Sequence, residues 1–271
     1  MSIAETDKVF SGSIAKLYET LLVPLIFAPY ATDLARRLRG RKMARVLEIA
    51  AGTGVVTRAL VAALDHSVAI VATDLNQAML NEAAAAGTTR PVEWRQADAL
   101  ALPFGGGEFD AVVCQFGAMF FPDKARAFAE ARRMLRPGGV FIFNVWDAIE
   151  ANEFAAVVTT ALASLMPQDP PRFLARTPHG YHDRAVIARD VAAGGFGNPA
   201  TIETVAARSR APSARAPALA YCQGTPLRNE IEVRGVAVDR ATAVATDAME
   251  KRFGSGPVDG AIRAHVVTVE L

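Results

Sequence analysis

From position 44 onward, short and nearly continuous apolar runs alternate with stretches whose apolar residues recur at helical spacing. The pattern predicts strands over 44–50, 68–74, 91–96, 109–115 and 140–146. Helices over 55–64, 76–86 and 123–135 are predicted among them. Asn76 stands where a helix N-cap belongs. The loop Gly105-Gly106-Gly107 leads into the fourth strand, and Pro137-Gly138-Gly139 is predicted to stop the helix before the fifth. The fifth strand is almost wholly apolar, as in a strand covered on both faces. Such strands, separated by helices, make a parallel, doubly wound α/β sheet.

The flanks are less regular. The segment before position 44 reads as amphipathic helix and carries Tyr18 and Tyr30. After position 150 the pattern predicts helices over 153–165 and 184–193, with a loop rich in proline, histidine and aromatics over 168–183. Strands over 201–207 and 264–269 enclose a helical stretch near 240–253. One domain is expected: an N-terminal helical lid (1–43), a core (44–147), a helical cap insertion (148–200) and closing strands and helices (201–271).

Composition narrows the function. Hydrophobic residues make up 51% of the 271, enough for a large core, and 29 basic residues nearly balance 28 acidic ones. That balance argues against a nucleic-acid partner. The two cysteines, Cys114 and Cys222, form no disulfide framework, and no metal-ligand spacing is present. Residues 1–10 lack a basic stretch followed by an apolar one, so no signal peptide is expected. The apolar run 21–28 contains Pro24 and falls far short of the ~20 residues that span a bilayer. A cytoplasmic protein without a membrane span is expected.

The most informative stretch is Arg45-Val46-Leu47-Glu48-Ile49-Ala50-Ala51-Gly52-Thr53-Gly54. An apolar strand closes on an acid and enters a glycine turn, and Asp74 ends the next strand. A strand, a glycine turn and a distant acid form a site for the ribose end of a nucleoside cofactor. Two cofactors fit that description: a dinucleotide with a pyrophosphate, or a sulfonium donor without one. A dinucleotide fingerprint needs a third small residue, and here that position is Thr57.

The pattern Glu48-x-Ala50-x-Gly52-x-Gly54 resembles motif I of the class I S-adenosylmethionine-dependent methyltransferases, E/D-x-G-x-G-x-G. Ala50 replaces the first glycine, which is tolerable where the backbone is not left-handed. Asp74-Leu75-Asn76-Gln77-Ala78-Met79 is similar to the family's second motif and Gln96-Ala97-Asp98-Ala99-Leu100 to its adenine-contacting one. Phe109-Asp110-Ala111-Val112-Val113 and Leu135-Arg136-Pro137-Gly138-Gly139 resemble the motifs around strands four and five. The small-molecule enzymes of the ubiquinone/menaquinone C-methyltransferase type are the group most like it.

The resemblance implies a Rossmann-like, seven-stranded, mostly parallel sheet with the last strand antiparallel. It also implies S-adenosylmethionine as cofactor, held by Glu48, Ala50, Gly52, Gly54, Asp74, Leu75, Met79, Asp98, Ala99 and Gln115. In that reading Glu48 offsets the donor's ammonium, Asp74 accepts from both ribose hydroxyls, Asp98 and Ala99 meet the adenine edge, and Leu75 and Met79 flank its faces. Phe116, Met119, Tyr18 and Tyr181 would line the place of a small, apolar or aromatic acceptor. Tyr181, His182 and Tyr18 are the candidates for a general base, should one be needed. Two other readings stand beside methyl transfer: a nicotinamide-dependent oxidoreductase, and a donor-binding protein without turnover. Neither the acceptor nor the oligomeric state is legible in the chain.

Overall fold

The computed structural model describes residues 12–271, so the stretch read for a signal peptide lies outside the described residues. The chain divides into two compact units. A sheet unit comprises 28–145, 181–205 and 264–271; a helical unit comprises residues up to 27, 146–180 and 206–263.

The strands are β1 (Arg45–Ile49), β2 (Ala69–Asp74), β3 (Glu93–Gln96), β4 (Phe109–Gln115), β5 (Leu135–Trp146), β6 (Thr201–Ala211) and β7 (Val258–Glu270). Their order is β3-β2-β1-β4-β5-β7-β6. The first five run parallel, with Glu48 beside both Ala72 and Val113, and Gln115 beside Asn144. At the start of β5, Gly138 donates to the Leu271 carbonyl and Leu271 donates back to Gly139. Past its end, Asp147 donates to the Arg263 carbonyl. The last strand is therefore antiparallel. Strand order reverses between β1 and β4, and such a reversal opens a crevice at the strands' carboxyl ends.

Alternation along β5 shows how helices cover both faces. Val140 and Ile142 join a buried cluster with Leu34 and Leu38 and with Val56 and Leu60. Leu34 belongs to α2 (Ala28–Arg37), which follows α1 (Gly12–Leu17) and a π-helix, Leu38 lies just past its end, and Val56 and Leu60 belong to α3 (Val55–Ala63). Phe141 and Phe143 face the other way, against Phe128 of α5 (Lys124–Met134), and Phe141 also stacks on Phe196. Asp123 caps α5 by accepting from the Arg126 N–H. Asn76 stands at the N-cap of α4 (Gln77–Ala86) but makes no side-chain cap bond. Asp74 Oδ1 accepts the Asn76 N–H instead, at 2.8 Å.

Several boundaries differ from expectation. Strand β5 begins at Leu135, and Pro137-Gly138-Gly139 lies inside it. Pairing jumps from Phe109↔Leu135 to Ala111↔Val140, so the expected stop is a bulge, with Gly138 at φ +77°. Strands β6 and β7 are longer than predicted, because exposed positions interrupt the apolar signal along the edge strand β6. The expected loop 168–183 contains a helical turn, α7 (Phe173–Arg176), and α8 (Arg184–Ala193) follows as predicted, capped by Asp183.

In the helical unit, α6 (Glu153–Leu165), α9 (Arg215–Gln223) and α11 (Val238–Phe253) pack together, with α10 (Leu227–Val233) beside them. The sequence reading missed α9 and α10. Proline sits in or just before the first turn of each, at Pro217 and Pro226, where its missing N–H costs nothing. The π-helix Tyr18–Phe27 contains Pro24 and packs on α9. Because its wider turns carry the helix past Pro24, Ile14–Arg37 forms one helical run of 24 residues. By length and composition alone it could cross a membrane, yet half of its apolar window is buried inside the protein. The eight-residue run seen in the sequence understated this helix.

Candidate functional site

The site is built where β1 and β2 end. Past Ile49 the chain makes a tight turn through Ala50, Gly52 and Gly54, all three left-handed at φ +56°, +57° and +82°. Ala50 thus breaks the condition under which an alanine was expected to be harmless. A left-handed alanine costs about 1–2 kcal/mol, and the surroundings hold it there. Its methyl lies against Gly117, where an added Cβ would approach it to 2.5 Å. A Cβ on Gly54 would meet the Trp94 ring at 2.9 Å, so this turn has no room for a side chain there.

Asp74, at the end of β2, organises the turn. Its Oδ2 accepts the Gly52 N–H at 2.8 Å while Oδ1 takes Asn76. The Asn76 side chain and the Leu75 N–H also act on this carboxylate. Burial raises its pKa against these backbone hydrogen bonds. Met79 is buried, with its methyl 3.6 Å from where a Gly52 Cβ would stand, whereas Leu75 is 45% exposed. Leu75 is one of two large apolar side chains left so open among the described residues. The loop after β3 joins the same sheet end: Ala97 donates to the Asp74 carbonyl and Gln96 Nε2 to the Leu75 carbonyl. There Asp98 is exposed and accepts the Leu100 N–H at 2.9 Å, with Ala99 half-buried beside it.

Glu48 is wholly buried. Thr57 Oγ1 donates to its Oε2 at 2.5 Å, and Arg58 is near enough to act on its charge. Burial pushes its pKa up to about 8, with the Asp74 charge adding to the rise and Thr57 and Arg58 opposing it. Thr57, which fails the dinucleotide pattern, therefore has a structural use. An acid nine residues before a threonine was the available signal, and it went unread. Between the two glycines, the buried Thr53 hydroxyl has no hydrogen-bond partner in the protein. An orphaned hydroxyl and an open leucine beside a glycine turn fit a nucleoside ligand; Arg58 Nη1 donates to the Thr53 carbonyl of that turn at 2.8 Å.

The end of β4 forms the other side. Gln115 and Phe116 are buried, and Phe116 is left-handed at φ +50°. Its ring meets the Tyr30 ring edge-on at 5.4 Å, and Met119 is buried in the 3₁₀ turn that follows. Asn144, buried in β5, accepts the Phe116 N–H. It went unread although it is the single polar residue in 140–146.

The candidate bases fare differently. Tyr181 donates to Asp190 Oδ2 at 3.1 Å and lies under the Lys124 ammonium. Burial and the Asp190 carboxylate raise its pKa, which favours the phenol over the phenolate. His182 is exposed next to the α8 cap. Tyr18 belongs to the helical unit, stacked on Phe27 at 4.8 Å. The described residues contain no cluster of His, Cys, Asp or Glu able to hold a metal.

Known proteins match this arrangement. The family model of a methyltransferase domain matches residues 47–143. The ubiquinone/menaquinone biosynthesis C-methyltransferase of Hahella chejuensis is 34% identical over 54% of this chain and 64% of its own length. The demethylmenaquinone methyltransferase of Corynebacterium urealyticum is 31% identical over 57% of this chain and 68% of its own. An uncharacterised protein of Mycobacterium tuberculosis is 39% identical over 47% of this chain, and the chain spans under half, 44%, of that relative's length. Among solved structures, a Haemonchus contortus phosphoethanolamine N-methyltransferase aligns with a TM-score of 0.61 and 14% identity, over 100% of this chain and 60% of that one. The YcgJ protein of Bacillus subtilis aligns at 0.56 and 18%, over 89% and 98%. The two structures share the fold, and the methyltransferase-domain model covers Leu47 to Phe143. On those grounds this chain belongs to the class I S-adenosylmethionine-dependent methyltransferases.

Proposed function

We propose that this protein binds S-adenosylmethionine at the carboxyl ends of β1 and β2 and transfers its methyl group to a small, apolar or aromatic acceptor. The observation that carries the reading is the Asp74 carboxylate at the end of β2, which holds the Gly52 N–H of the glycine turn and stands where an acceptor for the ribose hydroxyls is needed. Thr53 offers a further hydroxyl, Leu75 an open apolar face and Asp98 an acceptor for the adenine amino group. Glu48 lies deeper and answers the donor's ammonium through water or by a small shift.

The donor supplies an already activated methyl group, so no covalent intermediate with the protein is needed. What remains for the chain is alignment and the exclusion of water. Gln115, Phe116 and Met119 lie at the end of β4, in the position of the methyl-group side. Support for an apolar acceptor comes from the buried Met119 and from the quinone-pathway names of two relatives. Cytoplasmic location belongs to the same proposal, supported by two free buried thiols. No base is assigned, since Tyr181 is held as a donor.

Calorimetry with S-adenosylmethionine, S-adenosylhomocysteine and NAD(H) tests the reading. Binding of the two adenosyl-sulfur ligands and not of NAD(H) is expected. NAD(H) binding with no response to the other two would overturn it. Donor binding without methylation of any member of a broad panel of phenols, quinols and amines would leave the non-catalytic alternative.

A further inference from the structure

The buried amide of Asn144 has no part in the reading above, and its contacts are specific. Phe116 is a bulky residue in left-handed backbone, a conformation that persists only where neighbours enforce it. Its N–H is shared between two acceptors on Asn144, the main-chain carbonyl at 3.1 Å and the side-chain Oδ1 at 2.9 Å. The same amide sends Nδ2 toward Gln115 Oε1 at 3.4 Å. Asn144 is fully buried in the otherwise apolar run 140–146, directly beside Gln115 in register. One side chain therefore ties the backbone of Phe116 and the side chain of Gln115, where β4 ends beside the donor turn. Packing alone would favour valine or leucine here, and a buried amide is tolerated only when both its ends are satisfied.

We infer that Asn144 is a positioning residue of the donor site: through Phe116 and Gln115 it sets the wall beside the transferred methyl group without touching the donor itself. This rests on the donor-binding reading. The chain after β4 turns sharply at Phe116 into Gly117, and Gly117 lies against Ala50 of the donor turn. Removing the Asn144 amide takes away this hold on the Phe116 N–H and its contact with Gln115.

Calorimetric titration of the full chain with S-adenosylhomocysteine tests this. Asn144→Ala is expected to weaken binding on the order of tenfold, the scale of one lost hydrogen bond, while the variant stays folded. Gln115→Ala should weaken binding as well, and the double variant should be no weaker than the worse single one, since the two act through each other. Full affinity in folded Asn144→Ala, or losses that multiply, would overturn the inference. Should Asn144→Ala fail to fold, Asn144→Asp decides. It keeps the volume and the acceptor for Phe116, and only its protonated form can donate to Gln115. Its affinity relative to the parent should fall as pH rises through the titration of the new carboxyl group; a constant ratio overturns the inference. If the parent itself binds no S-adenosylhomocysteine, it is the donor-binding reading that fails.

Discussion

Two turns leave the sheet side by side, one after β1 and one after β4, and they are held in the same way by different chemistry. Each begins with a non-glycine residue in left-handed backbone, Ala50 or Phe116. Each has an N–H anchored by a buried side chain of the adjacent strand: Gly52 by Asp74 of β2, Phe116 by Asn144 of β5. The first anchor is an acid, the residue proposed to accept from the ribose hydroxyls. The second is a neutral amide whose groups are turned to the protein itself. Where a ligand is to be bound, the fold places a charge that is costly to bury. Where only the chain must be held, an amide suffices.

That comparison can be broken most forcefully at Glu48. Its proton is retained in the folded state up to about pH 8, against an ordinary value of 4.5. A raised carboxyl pKa gives stability that is present below the ordinary value and lost as pH rises through the folded one. The thermal midpoint of ligand-free protein should therefore fall between about pH 4.5 and 8 and level off above that, a change on the order of several kcal/mol. Asp74, also raised, adds with the same sign. Thermal melts across pH check this, and Glu48→Gln should flatten most of the slope. An equal slope in that variant would place the titration elsewhere.

The second turn should be the less forgiving of added bulk. Gly117→Ala would put a Cβ 2.5 Å from the Ala50 methyl and 2.8 Å from Cys114 Sγ. A loss of about 1–3 kcal/mol is expected from overpacking, measured by denaturant unfolding. Combining it with Ala50→Gly should recover part of the loss. Strict additivity would mean that the two turns do not press on each other.

The charge on the first anchor can be tested through the ligand. Asp74→Ala should weaken S-adenosylmethionine binding by ~1–3 kcal/mol, the range for charged hydrogen bonds. Unchanged calorimetric affinity would remove Asp74 from the ribose site. The smallest effect is expected from Ala50→Gly alone. Relief of the left-handed alanine exceeds the entropy that glycine adds to the unfolded chain, for a net gain of up to ~1 kcal/mol. Loss of stability would show that the Ala50 methyl packs better than its backbone strains.

Legibility followed the kind of signal. Glu48, Gly52, Gly54 and Asp74 could be read because charge and glycine stand out in an apolar background at fixed spacing. The five parallel strands were visible because burial on both faces leaves continuous apolar runs. The full lengths of β6 and β7 were hidden by exposed positions along them, and α9 and α10 by prolines that suit a helix start. Pro137-Gly138-Gly139 looks the same in a chain whether it ends an element or bulges within one. Thr57 was noted only as a failed small residue, although its hydroxyl holds Glu48.

The sequence by itself determined the α/β sheet, the glycine turn and the acids around it. Each rests on local conformational limits or on the cost of burying a charge, and both leave a mark residue by residue. Only the tertiary structure decided that Ala50 is left-handed, that Tyr181 is bound to Asp190, and that Asn144 grips Phe116. Tyr181 and Asp190 lie nine residues apart in the chain, Phe116 and Asn144 lie 28 apart, and Ala50 meets Gly117 from farther still. A neutral amide, a phenol and an alanine carry no mark of such partners until packing brings them together.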